Sequence, residues 1–192
     1  MENTVRIQKL VNVLILILLI KIVGYFTISE NIVITRVLKI FFRTGMTLAI
    51  FGVYTSLKNK GWLASWSWQN SLIPIFYGAY LALGFISFFW SSDVAYSALQ
   101  LLMNLESFLF AYYFIAVFLL IRKYLPEANL RLSYLVGNSV FFVLLTFIVG
   151  VIVAPEIFYR LTHGGEEARL GGYLMNPDEM GMLAGLRGSD IV

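Results

Sequence analysis

Residues Leu132 to Ala154 read LSYLVGNSVFFVLLTFIVGVIVA, a run of 23 residues without a charged side chain. At about 1.5 Å per residue, a helix of this length crosses a hydrocarbon core of roughly 30 Å. The rest of the chain has the same character, because 59% of its 192 residues are hydrophobic and only 13% are charged. A mean hydropathy of +0.81 excludes a soluble globular domain. We therefore predict an all-α membrane protein, with residues 1–192 forming a single polytopic helical bundle.

Four further apolar runs precede this one along the chain. Together the five runs predict transmembrane helices at residues 10–28, 37–57, 72–90, 98–121 and 132–154. A sixth helix is predicted at residues 177–187, where Asn176, Pro177 and Glu179 match an N-cap, a first-turn proline and a capping-box carboxylate. Its apolar part is too short to cross a membrane. We therefore expect the chain to be the amino-terminal part of a longer protein.

The basic residues between the runs predict the orientation of the helices. Lysine and arginine are concentrated before the first run and in every second connection, at Arg6, Lys9, Lys58, Lys60, Arg122, Lys123 and Arg131. The positive-inside rule places these segments, and with them the amino terminus, in the cytoplasm. Tryptophans near the ends of the runs are typical of the aromatic belts that anchor helices at the headgroups, namely Trp62, Trp66, Trp68 and Trp90.

Four charged side chains fall inside the five predicted transmembrane helices, namely Lys21, Lys39, Arg43 and Glu106. Each costs at least about 2.5 kcal/mol near the bilayer centre unless it is paired or hydrated. In the predicted topology Lys21, Arg43 and Glu106 lie roughly 9 to 12 Å below the outer surface. Arg36, Lys39 and Arg43 follow an i, i+3, i+7 spacing, which predicts one basic stripe along the second helix.

Two interpretations of these charges remain open. In the first, Lys21 and Glu106 belong to an ion-pair network that holds the helices together. In the second, the cations Arg36, Lys39 and Arg43 outnumber the single carboxylate and form a site for a phosphate or pyrophosphate at the outer leaflet. Arginine suits that role because its guanidinium can bind phosphate oxygens in pairs.

Several other site types are not expected in this chain. It has no cysteine, and its basic residues do not gather on one face, so we expect no thiol chemistry and no nucleic-acid partner. His163 is the single histidine and lies in an outer loop, where a solvated side chain is more common than a general base. Together with Glu166 and Glu167 it offers too few convergent ligands for a metal ion. We therefore expect no metal and no cofactor.

Two stretches on the predicted outer face resemble a known family. The first is FWSSD at Phe89 to Asp93, a tight loop before a leucine-rich helix. The second is RLGGYLMNPDEMG at Arg169 to Gly181, which combines an arginine, glycines and an Asn-Pro pair at the start of a helix. In this order and at this spacing they resemble the O-antigen ligase and polysaccharide polymerase family of bacterial inner-membrane proteins. Asp178 departs from the pattern, because the family often has asparagine after the proline.

The resemblance implies a metal-independent glycosyltransferase of bacterial surface-polysaccharide assembly. Such an enzyme moves glycan from a polyprenyl-diphosphate carrier to a glycan or lipid A core acceptor at the outer face of the cytoplasmic membrane. Arg169 matches the arginine of the family motif, so we expect it to bind the pyrophosphate and to stabilise the charge that develops on this leaving group. In the family a large outer loop further along the chain completes the active site. We therefore expect residues 1–192 to be inactive alone.

A different function is also compatible with the charges inside the helices. Intramembrane lysine, arginine and glutamate side chains line the pathways of many transporters. The alternative prediction is therefore a membrane transporter or a component of a lipid-carrier flippase.

Overall fold

The computed structural model describes residues 2–26, 31–62, 72–162 and 167–170. In chain order the helices are α1 Glu2–Val23, α2 Ile32–Asn59, α3 Leu72–Ile86, α4 Val94–Tyr124, α5 Leu132–Val153 and α6 Pro155–Phe158. Two short 3-10 turns occupy Ser87–Trp90 and Pro126–Ala128. Two strands complete the described part of the chain, β1 Tyr159–Thr162 and β2 Glu167–Leu170.

The fold is that of a helical membrane protein. Among the described residues three helices are long and apolar enough to cross a membrane, at Ile34–Asn59, Val94–Tyr124 and Leu132–Val153. A shorter apolar helix at Ile75–Trp90 and helix α1 occupy two other predicted spans. The described residues therefore support three of the five predicted spanning helices. The predicted helix at 177–187 lies outside the residues that the structure describes.

Polar caps explain why α2 and α4 begin earlier than the apolar runs predict. Asn31 Oδ1 accepts a hydrogen bond from the N–H of Ile34 at 3.3 Å, and Asp93 Oδ1 accepts one from the N–H of Tyr96 at 2.9 Å. A side-chain oxygen at this position satisfies an N–H group that lacks a helical partner. Each helix therefore begins directly after its capping residue, several residues before the apolar run starts.

Helix α1 is displaced toward the amino terminus relative to the predicted span at 10–28. It begins at Glu2 because polar residues continue the helical hydrogen bonding beyond the apolar run. It ends at Val23, because the N–H groups of Tyr25 and Phe26 turn back to the carbonyls of Ile22 and Val23. The prediction placed both ends of this helix too far along the chain.

The described elements group into two compact units. The first contains Met1–Met46 and Asn129–Val192, and so includes α1, the first half of α2, α5, α6 and the two strands. The second is Thr47–Ala128, and it includes the second half of α2 together with α3 and α4.

In the first unit α1 packs against α5. Leu14 and Leu135 are fully buried, and so is the hydroxyl-bearing Ser139. The Ser139 Oγ atom lies 2.9 Å from the carbonyl oxygen of Leu135 and 3.2 Å from that of Ile15 on α1. A small polar residue of this kind lets two membrane helices approach closely and joins them by a hydrogen bond.

An aromatic series closes the end of this unit. The ring of Phe26, just after α1, meets that of Phe147 on α5 edge-to-face at 5.4 Å. Phe147 meets Phe158 of α6 in the same way, also at 5.4 Å. Phe158 packs directly over Gly150, where a Cβ atom would overlap its ring. Helix α6 therefore folds back against α5 because residue 150 has no side chain.

Strands β1 and β2 form an antiparallel hairpin that begins at the residue after Phe158. The register pairs Tyr159 with Leu170, Arg160 with Arg169, Leu161 with Ala168 and Thr162 with Glu167. The sequence predicts an outer loop around His163 but not this hairpin. The alternation of apolar and polar residues in YRLT and EARL, with Gly164 and Gly165 between them, is the signal that would have predicted it.

In the second unit α3 and α4 are joined by aromatic and amide side chains. The Tyr77 ring stacks on Phe108 at 4.4 Å, and its hydroxyl donates to the Asn104 carbonyl at 2.8 Å. The Asn104 side-chain amide donates in turn to the Tyr80 hydroxyl at 3.2 Å. Every one of these polar groups gains a partner without water, as packing between membrane helices requires.

Candidate functional site

Arg169, the first of the predicted site residues, lies in strand β2 directly opposite Arg160 of β1. Directly opposed residues of an antiparallel pair share one face of the ladder, with Cβ atoms about 5 Å apart. Like charges at directly opposed positions destabilise an antiparallel pair. The register therefore places two arginine positions opposite each other, with Glu167 two residues before Arg169 in the same strand.

The hairpin is joined to the helices through the residue that precedes it. Phe158 is followed at once by Tyr159, the first residue of β1. Its ring is held between Phe147 and the backbone at Gly150 of α5. The position of the arginine pair relative to α5 therefore depends on a well-defined aromatic contact.

Lys21 and Arg43 come together in the same unit. Their exposed fractions are only 3% and 6%, and the Lys21 ammonium donates to the main-chain carbonyl of Arg43 at 3.4 Å. The Arg43 guanidinium lies 4.4 Å from the centre of the Tyr25 ring, which is a cation–π arrangement. Gly24 permits this approach, because a Cβ atom there would lie 3.2 Å from Cγ of Arg43. Two basic residues are therefore buried where α1 meets α2, joined through the main chain of Arg43.

The predicted stripe on α2 differs in exposure from one residue to the next. Arg36 is exposed, Lys39 is half-buried and Arg43 is buried. Their i, i+3, i+7 spacing falls entirely within α2, as predicted. The stripe therefore runs from an exposed end to a buried end rather than along one uniform surface.

Glu106 is half-buried on α4, and it accepts a hydrogen bond from the hydroxyl of Thr47 on α2. Thr47 itself is buried, with 8% of its surface exposed. A hydroxyl donor stabilises a carboxylate away from water. Thr47 was not among the predicted site residues, although a hydroxyl-bearing residue within an apolar helix is a recognisable signal.

We expect replacement of Thr47 by valine to lower the free energy of unfolding by about 1–3 kcal/mol. Valine has nearly the same shape but cannot donate to Glu106, so a partly buried carboxyl group loses one of its hydrogen bonds. Thermal unfolding in detergent measures the change. Thr55→Val is the matched control on the same helix, because the Thr55 hydroxyl bonds only locally to the carbonyl of Gly52 in an exposed position. Equal effects of the two substitutions would contradict the role of the Thr47 hydroxyl.

Some predicted site residues lie outside the part of the chain that the structure describes. They are His163 and the capping residues of the predicted sixth helix, Asn176, Pro177 and Glu179. Two residues besides Thr47 entered the site only with the structure. Arg160 was missed because the hairpin was missed, and Tyr25 because its contact with Arg43 joins residues distant in sequence.

Within the described ranges, no group of three or more histidine, aspartate or glutamate side chains is placed to hold a metal ion. Searches of protein-family models, of curated protein sequences and of solved structures find no match to this chain.

Proposed function

We propose that this protein takes part in the assembly of a bacterial surface polysaccharide, by transfer of glycan from a polyprenyl-diphosphate carrier to an acceptor sugar. The acceptor would be another glycan or the lipid A core. The proposal rests on one observation above all, the pairing of Arg169 with Arg160 in the hairpin register. Arg169 is also the arginine of the sequence motif that resembles the O-antigen ligase and polymerase family.

The chemistry of such a transfer explains why paired arginines would be useful. An oxygen of the acceptor hydroxyl forms a bond with the anomeric carbon of the glycan, and the hydroxyl proton passes to a base. The bond between that carbon and the diphosphate oxygen breaks, and the polyprenyl diphosphate leaves with the electron pair. Fixed guanidinium groups near the diphosphate stabilise the charge that develops on it.

The proposal includes a membrane topology. The protein would cross the bacterial inner membrane five times, with its amino terminus in the cytoplasm and the hairpin on the outer side. The charge bias of the connections supports this orientation. Helix α1 and the apolar helix Ile75–Trp90 would supply the two crossings beyond the three long helices.

The buried pair Lys21 and Arg43 favours a second candidate function. Buried cations inside membrane helices often line a pathway for an anionic substrate. The second candidate is therefore a transporter or a flippase component that moves the lipid-linked glycan across the membrane without forming a glycosidic bond. The two functions differ in where the carrier-linked glycan collects when the protein is missing.

Deletion of the gene in its own host tests both candidates. If the protein transfers glycan, carrier-linked glycan should accumulate at the outer face, and mature surface polysaccharide should disappear. A glycan-specific lectin added to intact spheroplasts measures the outer pool, and detergent lysis gives the total. Accumulation in the inner pool alone would indicate the transporter. No accumulation in either pool would contradict both candidates.

A further inference from the structure

The carboxyl end of α2 closes in a turn that depends on glycine. The N–H of Gly61 donates to the carbonyl of Lys58 at 2.9 Å, and that of Trp62 donates to the carbonyl of Leu57 at 3.3 Å. Gly61 has a φ of +80°, in the left-handed region. These features define a Schellman motif, which terminates the helix and fixes the direction of the residue that follows. The motif thereby sets the position of Trp62.

Trp62 joins the end of α2 to the end of α4. Its ring stacks on that of Tyr124, the last residue of α4, with centroids 5.0 Å apart and an interplanar angle of 13°. The ammonium of Lys123 lies 5.2 Å from the centre of the same tyrosine ring. The two helices therefore end side by side within the second unit, beneath a stacked aromatic pair.

Four cations lie within four residues of Trp62 or Tyr124 in the sequence, namely Lys58, Lys60, Arg122 and Lys123, and all four are exposed. We call these four residues the basic end. In the described residues 47–62 and 107–128 the one acidic side chain is Glu127. One cation near each helix carboxyl terminus would suffice to complement the helix dipole. The basic end has two cations at each helix end, so positive charge exceeds negative charge in this part of the unit.

We propose that the basic end binds the phosphate headgroup of an anionic phospholipid. Helix α4 and the described part of α2 are apolar enough to span the membrane, so their ends lie at the level of the headgroups. Tryptophan and tyrosine favour that same level, and each nearby lysine or arginine strengthens attraction to an anionic lipid surface. The stacked pair joins the two helix ends that carry the cations, which distinguishes this place from a diffuse charged surface. This proposal does not depend on the proposed glycan transfer.

Quenching of Trp62 fluorescence tests the proposal in the full chain reconstituted into vesicles. Trp66, Trp68 and Trp90 are first replaced by phenylalanine, so that Trp62 is the one emitting tryptophan. The vesicles contain phosphatidylcholine and phosphatidylglycerol. Two preparations are compared, one with brominated phosphatidylcholine as the quencher and one with brominated phosphatidylglycerol. We expect brominated phosphatidylglycerol to quench more strongly than its bulk fraction predicts, and higher salt to weaken this preference.

Matched double variants then separate a local site from general charge. Lys60→Gln with Arg122→Gln should reduce the preference for phosphatidylglycerol about fivefold for each cation removed. Lys9→Gln with Arg131→Gln removes the same charge at exposed positions elsewhere and should leave the preference unchanged. If the triple phenylalanine chain does not reconstitute, native mass spectrometry of the lipids retained by the unaltered chain makes the same comparison.

Three results would overturn the proposal. Quenching by each brominated lipid in proportion to its bulk fraction would show that Trp62 has no preferred anionic neighbour. Equal losses in the two double variants would assign the preference to overall charge. Displacement of phosphatidylglycerol by millimolar inorganic phosphate at constant ionic strength would indicate a site for a soluble anion instead of a lipid.

Discussion

Replacement of Arg169 by alanine is expected to slow glycan transfer by a factor of about 10² to 10³, the usual cost of removing one fixed donor from a developing anion. Arg169 occupies the register position opposite Arg160, so its loss would leave a single guanidinium to neutralise the diphosphate. The rate of transfer from a radiolabelled polyprenyl-diphosphate glycan measures the effect. The assay uses membranes from the native host that express the variant gene.

Three comparison variants show whether the effect comes from phosphate binding. Arg169→Lys keeps the charge but loses the paired donors, and we expect it to restore only part of the rate. Arg160→Ala should also slow transfer if both register partners contact the diphosphate. Arg131→Ala is the control, because Arg131 is an exposed arginine just before α5. Full activity of Arg169→Ala would reject the proposed role of the hairpin.

The positions of the long helices could be predicted from the sequence, because an uncharged run of membrane length has few alternative structures in lipid. Their ends could not be predicted from apolar runs alone. Asp93 caps α4 and Gly61 ends α2, and each of these signals is local and visible in the sequence. A count of apolar residues does not detect these signals, because each helix continues beyond its apolar run into the polar interface. Cap chemistry and hydropathy therefore need to be considered together.

The candidate site depends on information of two different kinds. The Arg160–Arg169 pairing follows from a short alternating pattern that the sequence contains, and a search for hairpins would have found it. The approach of Lys21 to the Arg43 carbonyl joins residues on two helices. Hydropathy predicted that both cations lie within spans, but it does not specify which faces of α1 and α2 meet. That part of the site required the packing of Gly24 against Arg43.

The contact between Phe158 and Gly150 leads to the other large expected effect. A methyl group at residue 150 would overlap the Phe158 ring, so Gly150→Ala should displace α6 from α5. Overpacking of this kind lowers the free energy of unfolding by about 1–3 kcal/mol. In a chain of this size, each kcal/mol lost lowers Tm by roughly 2–4 °C. Because β1 follows Phe158 directly, the hairpin should move with α6. We therefore expect glycan transfer to fall together with thermal stability.

A control on the same helix and a double variant distinguish this contact from a general effect on α5. Gly137→Ala places the same methyl group in open space, so it should leave both Tm and transfer nearly unchanged. Phe158→Ala removes the ring that the new methyl group would meet. Adding Gly150→Ala to that variant should therefore cost little further stability, and the two substitutions should be strongly non-additive. Additive losses would mean that Gly150 and Phe158 act separately, and that the hairpin is positioned by some other contact.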